Sequence, residues 1–159
     1  MLSTIHTNSA SGAIPRFLSM GVKAFLMAPA LNCVIGQRLV RKLCDCKVEI
    51  ELTPEQKEKV AKFLENLPEG EKSPEIGEKF YGPGKCEKCS NLGYKGRLGI
   101  YEIFIMIPEI EQLIVTGNVG ESDIEQIAVK NGMATMVQDG ILKAMEGLTS
   151  IDEVFRVIG

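Results

Sequence analysis

The sequence has no tryptophan, and aromatic residues make up only 6% of its 159 positions. Proteins that bind single-stranded nucleic acid stack the bases on aromatic side chains, which this chain supplies sparingly. It also has no basic excess, because 21 acidic residues outnumber 18 lysines and arginines and give a net charge of −3. Since nucleic-acid binding usually needs a concentrated basic face, we expect no nucleic-acid partner.

A single histidine, His6, limits the catalytic arrangements that the sequence can support. The spacing indicates no Ser/His/Asp triad, Cys/His dyad or pair of catalytic carboxylates. Leu2–Ile5 predicts the end of a short buried strand, and a lone histidine at a strand end is more often structural than catalytic. Because the chain starts with this folded pattern, we expect it to begin in the middle of a domain.

The apolar stretch at residues 24–33 is too short to cross a bilayer, which takes about 20 residues. It contains Pro29, lacks the basic region of a signal peptide, and has Asn32 where a lipoprotein signal needs a small residue. We therefore predict one or two buried helices between Lys23 and Leu43, broken near Pro29, with Cys33 in the core.

Four of the five cysteines form two close pairs, Cys44-Asp-Cys46 and Cys86-Glu-Lys-Cys89. An odd total and no secretory leader favour a reducing compartment over disulfide bonds. Two spaced pairs are the usual source of a tetrahedral thiolate site, and zinc suits four thiolates best. We expect a structural zinc site with all four as ligands, against the alternative of buried apolar thiols. The one-residue gap after Cys44 predicts a strained first turn.

The glycines near the second cysteine pair do not form a phosphate-binding loop. In Gly82-Pro-Gly84-Lys85, the first glycine of such a loop would fall at position 79, which is a lysine. Cys86 replaces the serine or threonine that would hold magnesium. These glycines are therefore predicted to form turns, and the sequence contains neither a Walker A nor a Walker B segment.

Local signals predict a series of helices around one strand. Thr53 and Gln56 form a capping box with Pro54 at the first helical position, which predicts a helix after the first cysteine pair. β-branched and aromatic residues predict a strand over Arg97–Met106. The other predicted elements are a helix over residues 11–20 ended by Gly21, a polar loop over residues 68–79, and C-terminal helices that start at Pro108, at a Ser122 cap, near Ala134 and at a capping box of Ser150 and Glu153.

Several segments occur in the order of one known family and cover essentially the whole chain. They are Ser3-Thr-Ile-His6-Thr-Asn8, Gly12-Ala-Ile-Pro-Arg16, Ile35-Gly-Gln37-Arg38-Leu-Val-Arg41, Gly93-Tyr-Lys-Gly96-Arg97, Asp139-Gly140-x-x-Lys143 and Gly147-Leu-Thr-Ser150-x-x-Glu153. The first resembles the histidine box of the secretion ATPases. The series most closely resembles the branch that powers type II secretion and type IV pilus assembly (GspE/PilB type).

The resemblance implies an α/β fold class, namely a mainly helical fragment of a RecA-like P-loop NTPase domain with an inserted four-cysteine zinc subdomain. It implies an ATPase-core remnant at residues 1–43, a metal-binding subdomain at 44–105 and a C-terminal helical subdomain at 106–159. In that family the P-loop, acidic segment and Walker B lie before the histidine box. The chain is therefore expected to be the C-terminal portion of such an ATPase, inactive alone.

The resemblance also implies roles for individual residues and partners. His6 would be the catalytic residue near the γ-phosphate, and Gln37 and Arg38 would bind the nucleotide. Arg16 would also bind the nucleotide or would face a subunit boundary. ATP and magnesium would be held by the complete parent protein. The parent would be a cytoplasmic homo-hexamer at the inner face of the cytoplasmic membrane, acting on inner-membrane secretion or pilus platform proteins. The alternative is a free-standing zinc module for protein interaction, in which His6 is structural.

Overall fold

The computed structural model describes residues 1–68, 79–117 and 119–158, and it confirms the predicted combination of helices and strands. The predicted loop at residues 68–79 lies almost wholly outside these ranges. The described strands are β1 (Cys33–Leu43), β2 (Val48–Ile50), β3 (Phe80–Gly82) and β4 (Tyr94–Ile105). The described helices are α1 (Ala13–Ser19), α2 (Ala24–Met27), α3 (Pro54–Leu64), α4 (Pro108–Val115), α5 (Glu121–Lys130), α6 (Met136–Met145) and α7 (Ile151–Ile158), with 3-10 turns at Ala28–Ala30 and Glu87–Cys89.

The chain divides into two compact units, each with its own core. The first unit comprises residues 1–37 and 102–134, and the second comprises residues 38–101 and 135–159. Apolar side chains from α1, β4, α4 and α5 fill the core of the first unit: Ile14, Phe104, Ile110, Ile114 and Ile124. A second set from α3, α6 and α7 fills a core in the second unit: Val60, Leu64, Ile141, Ile151 and Val154.

The predicted helix over the second half of residues 23–43 is wrong, because these residues form β1. At one end of the β1–β4 pair the Met106 N–H donates to Asn32 O, and at the other the Cys44 N–H donates to Gly93 O, both at 2.9 Å. The two strands therefore run antiparallel. Burial alternates along β1, so Cys33 is exposed instead of lying in the core. The apolar residues of this segment, which alternate with glycine, glutamine, arginine and lysine only in part, fit either structure, and pairing with β4 decides between them.

The predicted buried strand at Leu2–Ile5 is also wrong. Residues 1–7 form neither helix nor strand, and the side chain of Leu2 is fully exposed. A strand needs a hydrogen-bonded neighbour and an apolar layer to cover one face, and the described part of the chain supplies neither to this segment. His6 consequently lies in an irregular segment that leads into α1.

Helix caps were predicted with mixed success. The Thr53 capping box is confirmed, since Thr53 Oγ1 accepts from the Gln56 N–H at 3.2 Å and Gln56 Oε1 accepts from the Thr53 N–H at 3.0 Å. The Ser122 cap is wrong, because α5 begins at Glu121 and its cap is Gly120, two residues before Ser122. There the Gly120 N–H donates to Asp123 Oδ2 at 3.0 Å. An acidic residue three positions after a cap candidate occurs in both registers, so the sequence alone did not separate them.

Paired alanine substitutions test these two assignments. We expect Thr53→Ala to lower the free energy of unfolding by about 1 kcal/mol, because it leaves a helix N–H without its side-chain acceptor. Ser122→Ala should change it by less than about 0.5 kcal/mol, since Ser122 is exposed on the first turn of α5 and caps nothing. Urea unfolding followed by circular dichroism measures both, and equal losses would contradict the assigned start of α5.

Candidate metal centre and His6 cleft

Two backbone turns bring the four cysteines together in the second unit. Cys44 and Cys46 follow the end of β1, in a turn closed by the Lys47 N–H, which donates to Cys44 O at 2.9 Å. Cys86 directly precedes the 3-10 turn that follows β3, and Cys89 is the last residue of that turn. In an extended strand, residues two apart lie about 6.6 Å from each other. The turn therefore brings Cys44 and Cys46 closer together than they would be in an extended strand.

The four sulfur atoms lie within 4.8 Å of one another. The distance between Cys44 Sγ and Cys86 Sγ is 3.8 Å, as is that between Cys46 Sγ and Cys89 Sγ, and Cys86 Sγ lies 3.6 Å from Cys89 Sγ. A tetrahedral zinc ion with Zn–S bonds of about 2.3 Å separates its sulfurs by about 3.8 Å. The same distances are far too long for disulfide bonds, and all four cysteines are free. The cluster therefore has the spacing of a closed four-thiolate metal site.

Several residues around the second turn have a close backbone contact or a left-handed backbone conformation. A Cβ at Gly84 would lie 1.7 Å from Cys46 O, so only glycine fits beside the first cysteine pair. Gly93 has a φ of +76°, and Ser90 and Asn91 also have left-handed backbones, at 51° and 61°. Among the described non-glycine residues, positive φ occurs at Ser90 and Asn91 alone. The left-handed angles thus lie in the second turn and not in the first, whose strain stays a prediction.

The local electrostatics favour a bound cation. Burial raises the pKa of the Cys46 thiol to about 12, and contacts with the other three cysteines add to this effect. Burial acts to raise the pKa of Cys89, but the hydrogen bond from the Gly93 N–H at 3.2 Å and those with Cys86 and Cys46 together outweigh it and lower the pKa to about 6. Four thiolates this close repel one another unless a cation neutralises them. The donor set therefore fits zinc.

Lysines near the cluster could offset the negative charge of the thiolates, but the ammonium of Lys47 contacts other groups. Its Nζ donates to Gly147 O at 2.7 Å and lies 4.7 Å from the centre of the Tyr81 ring. Gly147 has a φ of +69°, and a Cβ there would approach Lys47 Nζ to 2.5 Å. Lys47 therefore links the first cysteine turn to the loop between α6 and α7.

His6 and Arg16 line one cleft in the first unit. The cleft has a volume of about 380 Å³, and its other lining residues are Thr7, Asn8, Gly12, Pro15, Ser19 and Glu121. The side chains of His6 and Arg16 are both exposed to solvent. The Ser9 hydroxyl donates to Glu121 Oε1, which fixes the acidic wall of the cleft. The structure thus brings together two of the residues predicted from the resemblance.

Gln37 and Arg38 lie on β1 and are not among the residues that line this cleft. Gln37 is exposed and Arg38 is half-buried. Their predicted contact with a nucleotide stays a prediction. Glu102, a residue of the first unit to which the sequence analysis assigned no role, is buried and accepts a hydrogen bond from the Ala10 N–H. An acidic residue inside a strand pattern was the signal that could have identified it.

Residues of the C-terminal motifs act as structural braces in the second unit. Asp139 Oδ2 accepts from the Tyr101 N–H at 2.8 Å and from Lys143 Nζ at 2.6 Å, and the same ammonium donates to Gly99 O at 3.0 Å. The spacing of Asp139 and Lys143, four residues apart on α6, was a signal for this pair. Glu153 is buried and accepts from the Arg41 N–H and from Arg156. These motif residues fasten α6 and α7 to the strands.

Comparison with known sequences gives a family match over nearly the entire chain. The family profile described as "Type II/IV secretion system protein" matches residues 1–156. The chain belongs to this type II/IV secretion system protein family. The resemblance inferred from the motifs is therefore confirmed.

Curated members of the type II/IV secretion system family are much longer than this chain. It is 43% identical over 160 residues to the type IV pilus assembly ATPase PilB of Pseudomonas aeruginosa, covering 99% of this chain and 26% of that protein. It is 39% identical to PilB of Thermus thermophilus, covering 97% and 16%. It is 36% identical to the type II secretion system protein E of Aeromonas hydrophila, covering 99% and 29%. The chain thus spans less than a third of the length of these relatives.

None of the helices in residues 1–68, 79–117 and 119–158 of this family member is both long and apolar enough to span a membrane.

Proposed function

We propose that this chain is the C-terminal portion of an ATPase that powers type II secretion or type IV pilus assembly. The observation that carries the proposal is 43% identity over 99% of the chain to a protein named as a pilus assembly ATPase. The order of the histidine-box, cysteine and C-terminal segments supports the assignment to this region of the parent. The parent's fold in this region would be RecA-like.

We further propose that Cys44, Cys46, Cys86 and Cys89 hold one structural zinc ion. Their near-tetrahedral sulfur spacing and the Gly93 N–H at Cys89 support four-thiolate ligation. A closed site with four protein ligands leaves no open position for substrate, so this ion would stabilise the fold and take no part in ATP hydrolysis.

The His6 cleft would face the nucleotide in the complete parent, which would supply the P-loop, magnesium and ATP. An imidazole and a guanidinium in one cleft can both donate hydrogen bonds to phosphate oxygens, which supports roles for His6 and Arg16 at the γ-phosphate. Gln37 and Arg38 would bind the nucleotide from β1. The parent would work as a homo-hexamer in the cytoplasm, at the inner face of the cytoplasmic membrane, and act on inner-membrane platform proteins.

The isolated 159-residue chain is expected to show no ATP hydrolysis above a buffer blank. Phosphoryl transfer needs a backbone cradle and a lysine for the phosphates, with a hydroxyl and an acidic residue for magnesium. The P-loop and Walker B that supply these groups are absent from this sequence. A coupled phosphate-release assay at saturating ATP and magnesium measures the turnover, with His6→Ala as the matched variant. Turnover by the wild-type chain that disappears in His6→Ala would overturn the expectation.

A zinc-binding interaction module without ATPase activity is the second candidate. It is favoured by one observation, that the cysteine cluster lies in a unit with its own apolar core. Reading the encoding DNA upstream of Met1 separates the two candidates. An in-frame P-loop supports the ATPase portion, and a clean start site supports the module.

A further inference from the structure

The loop between α6 and α7, residues 147–150, is hydrogen-bonded to the strand that leads into the first cysteine. The Leu43 N–H donates to Leu148 O at 2.9 Å, and Thr149 Oγ1 donates to Arg41 O at 2.8 Å. Thr149 and Ser150 are completely buried. Cys44 directly follows Leu43. A movement of the first cysteine turn would therefore displace Leu43 and, through its hydrogen bond, Leu148.

The same loop is attached to the strand that leaves the second cysteine turn. The Tyr94 hydroxyl and Ser150 Oγ lie 2.7 Å apart, within hydrogen-bond distance. Tyr94 follows Gly93, whose N–H donates to Cys89 Sγ and whose carbonyl accepts from the Cys44 N–H. Ser150 Oγ also accepts from the Glu153 N–H at 3.2 Å, which caps the start of α7. Two hydrogen bonds, between Gly93 and Cys89 and between the adjacent Tyr94 and Ser150, therefore connect the sulfur cluster to the cap of α7.

Lys47 completes the connection from the other end of the loop. It lies next to Cys46, and its ammonium donates to the carbonyl of Gly147, which follows Glu146, the C-cap residue of α6. The carbonyls at a helix C-terminus carry partial negative charge, so a cation there stabilises the helix. Lys47 can reach this carbonyl only while the turn from Cys44 to Lys47 keeps its geometry, which metal ligation of Cys44 and Cys46 would fix.

We propose that the cysteine cluster controls the order of α7, and that Lys47 is the residue that transmits the state of the cluster to the 147–150 loop. The coupling to metal rests on the zinc site proposed above. With zinc bound, the first turn holds Lys47 against Gly147 O, and the loop keeps Ser150 at the cap of α7. With zinc removed, the turn is released, Lys47 leaves the carbonyl, and the end of α6 and the start of α7 loosen together.

Hydrogen–deuterium exchange of the full chain tests the proposal on the amides of residues 151–158. Samples are wild type loaded with zinc, wild type after chelation, and Lys47→Met, whose side chain has similar length and no charge. Loss of a charge-assisted hydrogen bond corresponds to exchange that is about tenfold faster, and we expect this for α7 in Lys47→Met and after chelation. The amides of α4, in the first unit, should be unchanged. Lys88→Met is the matched control, because Lys88 is an exposed lysine between Cys86 and Cys89.

Zinc content is measured in every sample before exchange, so that two failures are distinguished. If the purified wild-type chain contains no zinc, the zinc site is overturned. The comparison of α7 exchange between wild type and Lys47→Met needs no metal, and it then tests the role of Lys47 alone. Equal α7 exchange in wild type and Lys47→Met overturns the role of Lys47. Loss of zinc without faster α7 exchange overturns control by the cluster. Lys47→Arg, which restores a cation, should return α7 to the wild-type rate, and failure to do so also contradicts the link.

Discussion

Cys86→Ser is expected to abolish zinc binding and to lower the thermal midpoint of unfolding. Elemental analysis should give about one zinc per wild-type chain, as four thiolates imply, and almost none for the variant. Structural zinc is worth on the order of 10–16 kcal/mol in small peptides, whereas a whole domain is stable by only about 5–15 kcal/mol. Losing the ion should therefore lower the stability of the second unit, which contains the cysteine cluster. Thermal unfolding followed by circular dichroism and zinc content measure the outcome.

Cys33→Ser is the matched control for this experiment. Cys33 is an exposed cysteine on β1 and is not part of the sulfur cluster. We expect its substitution to leave both zinc content and thermal midpoint unchanged. A wild-type chain without zinc, together with a Cys86→Ser variant that melts like the wild type, would show that the cluster is not a metal site.

Glu153→Ala should lower the free energy of unfolding by about 2–3 kcal/mol, because it removes a buried carboxylate that accepts from the Arg41 N–H and from Arg156. The Glu153 side chain is 4% exposed, and Glu153 Oε1 accepts from the Arg41 N–H at 3.0 Å and from Arg156 at 2.6 Å. Urea unfolding at pH 7 measures the loss. Asp152→Ala is the control from the same helix turn, because Asp152 is exposed, and its loss should stay below about 1 kcal/mol. Equal losses in the two variants would contradict a structural role for Glu153.

The contribution of Glu153 also depends on pH. Arg156 beside it lowers the pKa of this carboxyl, and the Arg41 N–H acts in the same direction against the effect of burial. A pKa that is lower in the folded state adds stability above the unfolded value, about 4.3, and loses it as the pH falls through the folded value. The difference between wild type and Glu153→Ala should therefore be constant from pH 7 to 5 and shrink below about pH 4. A difference that is largest in acid would contradict this assignment.

The features that sequence predicted well are those specified by nearby residues. The Thr53 box, the helix start at Pro108 and the turns at Gly21 and Gly132 each depend on a few adjacent positions, and all occur in the structure. The cysteine cluster was also predictable, because paired thiols at short spacing have few other uses in a glycine-rich segment. Short-range chemistry was therefore sufficient for these elements.

The features that sequence missed depend on contacts between distant segments. β1 is a strand because β4, some sixty positions later, supplies its hydrogen bonds, and its apolar residues alone fitted a helix equally well. Gly84 lies against Cys46 O across a long connection, so its need to be glycine has no local signature. His6 and Arg16 were brought together only by the resemblance, and no spacing rule would have paired them.

The turn from Cys44 to Lys47 cannot accommodate an inserted residue without losing hydrogen bonds. One added residue between Cys44 and Cys46 would restore the commoner two-residue spacing for a metal ligand pair. It would also break the bond from the Lys47 N–H to Cys44 O and rotate the ammonium away from Gly147 O. A longer gap would therefore have to be matched by a change in the connection between α6 and α7. Among related sequences, a longer gap between the first two cysteines should therefore occur together with a changed length of the connection between α6 and α7.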